Sequence, residues 1–155
     1  MCAPELHTLL IDCSSSSLNY EGVETFVQSK GGLTDVAFTQ SQQLNYILLI
    51  TTANYLPQIL HTDVTDTIGV LDIGVRVMAL FCKQLKILTL SKCVAITDAT
   101  VREIWIWCIQ LEELNLSGCA QVTDEGFPII DGMVERAVLR ELNVSGTSIT
   151  GAPFL

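Results

Sequence analysis

Apolar residues along the chain follow two periods that alternate. The clearest stretch is Leu85–Asp98 (LKILTLSKCVAITD), which returns 26 residues on as Leu111–Asp124 (LEELNLSGCAQVTD). Both read L-x-x-L-x-L-x-x-C-x-x-[IV]-T-D. A third copy, LRELNVSGTSIT, opens 28 residues later at Leu139. Stepping back 26 residues from Leu85 reaches Ile59, 26 more reach Leu33, and 27 more reach Leu6. These earlier copies are degenerate but keep the register. Their key places hold Leu6, Leu9, Ile11 and Ser14, then Leu33, Val36, Phe38 and Ser41, then Ile59, Thr62, Val64 and Thr67. Every copy has Ser, Thr or Cys in the ninth place. Self-similarity at a period of this length is the signature of stacked repeats.

Within a copy, x-L-x-L-x predicts a short strand with its apolar side inward. The spacing then changes. Val101, Ile104, Trp107 and Cys108, matched by Val75, Met78, Phe81 and Cys82, recur at three and four and predict the inner face of a helix. Thr97-Asp98 and Thr123-Asp124 stand before these helices as capping residues should. A strand–turn–helix unit of this kind cannot bury its apolar side alone. Stacking supplies the cover, and each buried leucine contributes roughly 1.5–3 kcal/mol. The chain thus reads as one α/β solenoid domain over residues 1–155, with five repeats starting near 6, 33, 59, 85 and 111 and a partial sixth starting near 139.

The motif resembles the cysteine-containing leucine-rich repeats of F-box leucine-rich-repeat proteins. The resemblance is specific over Leu85–Leu142 and extends to Met1–Val70 by spacing. It implies a horseshoe with parallel strands on the concave face and helices on the convex face, the concave face usually holding a partner. It also implies that ninth-place residues are buried in the turn and hydrogen-bond backbone groups there. A small, weak donor suits such a site, so Cys93 and Cys119 read as structural thiols alongside Ser14, Ser41, Thr67 and Thr147. Cys82 and Cys108 occupy the equivalent helix place. No close pair such as C-x-x-C is present, and no metal or other cofactor is expected. Cys2 and Cys13 fall outside the pattern.

Composition narrows the function. Seventeen acidic against 8 basic residues give a formal charge of −9, which would repel a nucleic-acid backbone, so nucleic acid is not the expected partner. The most apolar run, Tyr46–Leu56, carries Thr51, Thr52 and Asn54 and is too short for membrane insertion. Met1–Glu5 lacks the basic start of a secretion signal, so a cytoplasmic or nuclear location with reduced thiols is expected. The only histidines are His7 and His61. His61 and Asp63 share a strand face and form the one pair suited to polarising a water, but no motif places a nucleophile beside them. The Ser14–Ser17 run reads as a polar loop. The chain is therefore expected not to be an enzyme but a protein–protein interaction module, as in substrate recognition within a ubiquitin-ligase complex. The alternative is an architectural subunit of a large assembly, such as a ciliary one. The first repeat begins almost at Met1 and the last copy stops at Leu155 before its helix. The expectation is therefore either a fragment of a longer protein or edges covered by a partner.

The outward strand positions are the candidate site. They include Asp12, Asp35, Asp63, Glu113 and Glu141 but no Lys or Arg, and a Ser/Thr ladder runs through Thr39, Thr65, Ser91, Ser117 and Ser145. Asp35, His61, Asp63, Thr89, Glu113, Asn115, Glu141 and Asn143 are the expected contacts for a protein partner that brings a basic segment. The other reading is an acidic protein keeping an exposed sheet soluble. On the convex side, Trp105 stands beside the inner face. It is either a partner contact or a packing contact to the next helix.

Overall fold

The computed structural model describes residues 5–12, 14, 20–41, 46–127 and 138–151. Six strands form one parallel sheet in chain order: β1 (Thr8–Asp12), β2 (Asp35–Thr39), β3 (His61–Asp63), β4 (Ile87–Thr89), β5 (Glu113–Asn115) and β6 (Glu141–Asn143). Four α-helices alternate with them among the described residues: α1 (Tyr20–Ser29), α2 (Tyr46–Tyr55), α3 (Asp72–Phe81) and α4 (Asp98–Trp107). A 3-10 turn, Asp124–Gly126, follows β5. This order is consistent with a leucine-rich-repeat solenoid. Cys2, Cys13, Ser15–Ser17, Leu18, Leu44 and the Ala152–Leu155 end lie outside the described residues.

The strand register follows the leucine places. Val36, Thr62, Leu88, Leu114 and Leu142 are partners in consecutive strands. All but Leu142 are buried, and they face the buried side of the helices, where Leu49, Val75, Met78, Val101 and Ile104 complete the core. The buried helix stripe is narrower than the spacing predicted. Phe81 and Trp107 are 52% and 40% exposed, whereas Cys82 and Cys108 are fully buried. At roughly 100° per residue, Trp107 stands farther from the centre of the Val101–Ile104–Cys108 stripe than Trp105 does.

Three sets of contacts join successive units. The sixth-place residues donate their N–H groups forward: Val64 to the Thr89 carbonyl at 3.0 Å, Leu90 to Asn115 at 2.8 Å and Leu116 to Asn143 at 2.8 Å. Carbonyls of the same place accept the ninth-place side chain of the next unit. Thr67 Oγ1 donates to the Phe38 carbonyl at 3.0 Å, Cys93 Sγ to Val64 at 3.1 Å, and Cys119 Sγ to Leu90 at 3.1 Å. The two ends differ: Ser14 is exposed, and Thr147 donates to its own unit's Val144 carbonyl at 2.6 Å.

In the sequence the third set reads as capping alone. Thr97 and Thr123 do cap, accepting from the N–H groups of Ala99 and Glu125 at 3.2 Å. The aspartates that open these helical segments, Asp72, Asp98 and Asp124, reach across to the next unit instead. Asp72 accepts from Thr97 N at 3.0 Å and Thr97 Oγ1 at 2.7 Å, and also from the Thr100 hydroxyl. Asp98 grips Thr123 the same way, at 2.7 and 2.8 Å. Asp124 takes Thr150, whose hydroxyl holds the carboxyl below its ordinary 3.8. The units come so close here that a Cβ on Gly126 would lie 2.8 Å from Asp98 Oδ1.

The eighth place turns the chain away from the sheet in a left-handed conformation. Gln40, Asp66 and Lys92 have φ of 56°, 56° and 59°, and Gly118 and Gly146 have 76° and 70°. A side chain in this region costs about 1–2 kcal/mol, partly offset by the greater freedom glycine has in the unfolded chain. Lys92→Gly should therefore raise stability by about 0.5–1 kcal/mol in urea unfolding. A lowered midpoint would contradict the strain. Asp98→Ala removes two bonds and strands the Thr123 N–H, so a loss of about 1–2 kcal/mol is expected in the same assay. An unchanged midpoint would mean the carboxylate bridges contribute nothing.

Candidate functional site

Strand pairing arranges the outward side chains in columns across the sheet. One column runs Thr8, Asp35, His61, Ile87, Glu113, Glu141, and the next runs Leu10, Ala37, Asp63, Thr89, Asn115, Asn143. All eight expected contact residues therefore lie on one face, in adjacent columns. Parallel pairing of identical places puts like beside like, so the chemistry of the face is set along the stack as much as along each strand.

Most of the polar groups on this face are already engaged. Asp35 and His61, neighbours in the first column, are hydrogen-bonded through the His61 Nδ1, and Asp35 also accepts from the Thr34 hydroxyl at 2.6 Å. Sequence spacing pairs His61 with Asp63, but the neighbouring strand supplies the closer carboxylate. Asp63 turns to its own strand end, accepting from Thr65 N at 2.8 Å and Thr65 Oγ1 at 2.6 Å. Asn115 and Asn143 do the same with the N–H groups of Ser117 and Ser145, at 2.9 and 3.1 Å. Side-chain turns of this kind hold the chain in its bend. One rung of the Ser/Thr ladder is bonded directly, Ser91 Oγ to Ser117 Oγ at 2.8 Å.

Glu113 and Glu141 are different. They are exposed, they lie directly opposite one another in register, and no partner engages either among the described residues. Like charges facing across strands are destabilising. Beside them Ile87, Thr89 and Asn115 line a hollow of about 80 Å³. Small-molecule sites typically run to roughly 300–1,000 Å³. This hollow admits the tip of one side chain and no more.

At the N-terminal margin of the strands the sign changes. Glu112 is bridged by Lys86 at 2.9 Å and Arg140 at 3.4 Å. The hydrogen bond from Lys86 holds its carboxyl below the ordinary 4.5, with the charges of Lys86, Arg140 and His61 adding to the effect.

On the helix side, Trp105 is half-buried and packs edge-to-face on Phe127 of the next unit, ring centroids 5.4 Å apart at 78°. Trp107 is the exposed indole. Its Nε1 donates to Glu103 at 2.8 Å, and Lys83 Nζ sits 4.6 Å above its ring. Between the layers, burial pushes the Cys82 and Cys93 thiols up to about 12 and Cys119 to about 11. Such thiols stay protonated and are poor nucleophiles. Among the described residues, no three His, Cys, Asp or Glu side chains gather to hold a metal ion, and no helix is long and apolar enough to cross a membrane.

Residues 108–126 match the family described as Leucine Rich repeat. They run from the end of α4 through β5 to the 3-10 turn. No curated protein matches the chain. The match covers one unit of the stack and supports a leucine-rich-repeat family, and with it a protein-interaction module in a family that is generally non-catalytic.

Proposed function

We propose that the chain is a non-catalytic protein-binding module that captures a basic, extended segment of a partner protein on the outer face of its sheet. The observation that carries this reading is the Glu113–Glu141 pair, two unpartnered carboxylates facing one another beside a hollow the size of a side-chain tip. A cationic side chain entering between them relieves their repulsion, while its aliphatic stem lies along Ile87. The reading takes the stack as a horseshoe of five repeats and a partial sixth forming a single domain over 1–155, with the sheet concave. It takes the repeats as the cysteine-containing type, on the ninth-place thiols Cys93 and Cys119. Substrate recognition in a ubiquitin-ligase complex, in the cytoplasm or nucleus, is the setting we favour.

The test is fluorescence anisotropy of a labelled peptide rich in Arg and Ser. Both glutamates are exposed, so Glu113→Lys with Glu141→Lys should leave the circular dichroism spectrum and melting temperature intact. It should weaken binding by at least about tenfold, equivalent to roughly 1.4 kcal/mol. The affinity of the unmodified chain should also fall with added salt. Equal binding by the reversed chain would remove the proposal.

A further inference from the structure

The helices carry a second exposed feature that the sheet face does not explain. Tyr55, Phe81 and Trp107 are the last residues of α2, α3 and α4, in the same place of consecutive units. They are 51%, 52% and 40% exposed. They recur in one place of consecutive units, with Lys83 over the Trp107 ring, and Ile109, 65% exposed, lies two residues past Trp107. Half-exposed aromatics leave roughly 80–120 Å² each, a recurring apolar exposure of the kind that aromatic anchors of interfaces provide.

Charge separates this surface from the rest of the chain. The helix-to-strand turns, residues 30–34, 56–60, 82–86, 108–112 and 138–140, hold Lys30, Lys83, Lys86 and Arg140 against the single carboxylate Glu112. That is half of the protein's 8 basic residues, on a chain of formal charge −9. The nearest helix carboxylate, Glu103, is held by Arg76 at 3.4 Å and by the Trp107 N–H. Lys83 both covers the Trp107 ring and donates to the Ala79 carbonyl at 3.2 Å, so its position is fixed before any partner arrives.

We infer that this edge is a second docking surface, and that its occupant is an acidic amphipathic segment of a partner protein. The occupant's apolar side covers these aromatics, and its carboxylates meet Lys83 and the neighbouring cations. An anionic membrane is disfavoured, because the strongly negative remainder of the molecule is repelled as the edge approaches. The two surfaces take partners of opposite charge. One chain can therefore hold two different segments at once.

The experiment uses the whole chain and a labelled helical peptide with Leu and Phe on one side and Glu on the other, read by anisotropy. The peptide should bind. Exchanging its Glu for Gln should weaken it, as should Lys83→Glu. Trp107→Ala should weaken it by at least about tenfold, the loss typical of an interface aromatic, while Trp107→Phe retains most of the affinity. Glu113→Gln with Glu141→Gln should leave it unchanged, which separates this surface from the sheet face. Circular dichroism confirms that each variant is folded. The inference is overturned if the Gln peptide binds as well as the Glu peptide, if Trp107→Ala is without effect, or if only vesicles containing anionic lipid are bound.

Discussion

Among the described residues, no strand–turn–helix unit has a core of its own, and everything else follows from that. A unit contributes one short strand and one helix with an apolar stripe between them, and both sides of that sandwich stay open until another unit closes them. The closing contacts are directional. A sixth-place residue such as Leu90 uses its N–H and its carbonyl on the following unit, meeting Asn115 O and Cys119 Sγ. The carboxylate of Asp98 then fixes the start of the following turn through Thr123. Hydrophobic burial drives stacking, but it does not specify how one layer sits on the next. Those hydrogen bonds do, and they keep the units at a constant offset.

A constant offset turns sequence periodicity into surface pattern. Whatever occupies a given place becomes a column, so a small bias in the repeat is amplified into a patch. Acidic and amide residues in the strand places make the outer sheet face negative and rich in hydrogen-bonding groups. An aromatic ends each of three helices in the same place. Lysines and an arginine in the turns that follow make an edge of the opposite sign. Buried thiols take no part in any of this. Burial keeps Cys93 and Cys119 protonated, and each serves its neighbour as a weak donor.

Much of the fold was legible because its inward side obeys simple periods. The leucine places foretold the register of all six strands, including the degenerate units where Thr62 replaces leucine and is still buried. Contacts between units were harder to read. His61 finds Asp35 rather than Asp63 because the adjacent strand brings a carboxylate 26 positions away closer than the one two positions along. The Asp–Thr bridges were hidden behind a true but partial reading, since the same threonines do cap their helices. A signal for them was present: Asp72, Asp98 and Asp124 each precede a threonine by 25 or 26 residues. The exposed Phe81 and Trp107 were misplaced because a three-and-four count treats every hit as central, whereas the last residue of a helix overhangs the core. The left-handed eighth place left only a faint trace, the glycines at 118 and 146, and the three residues other than glycine there conceal it.

The most direct test of the account is to assign the backbone amides by NMR and titrate the chain with the Arg- and Ser-rich peptide. The account predicts shifts concentrated on the outward strand columns, at Asp35, His61, Thr89, Glu113 and Glu141, with the helix amides of α2 and α3 undisturbed. Shifts confined to the helices, or scattered over the surface without regard to strand register, would contradict it.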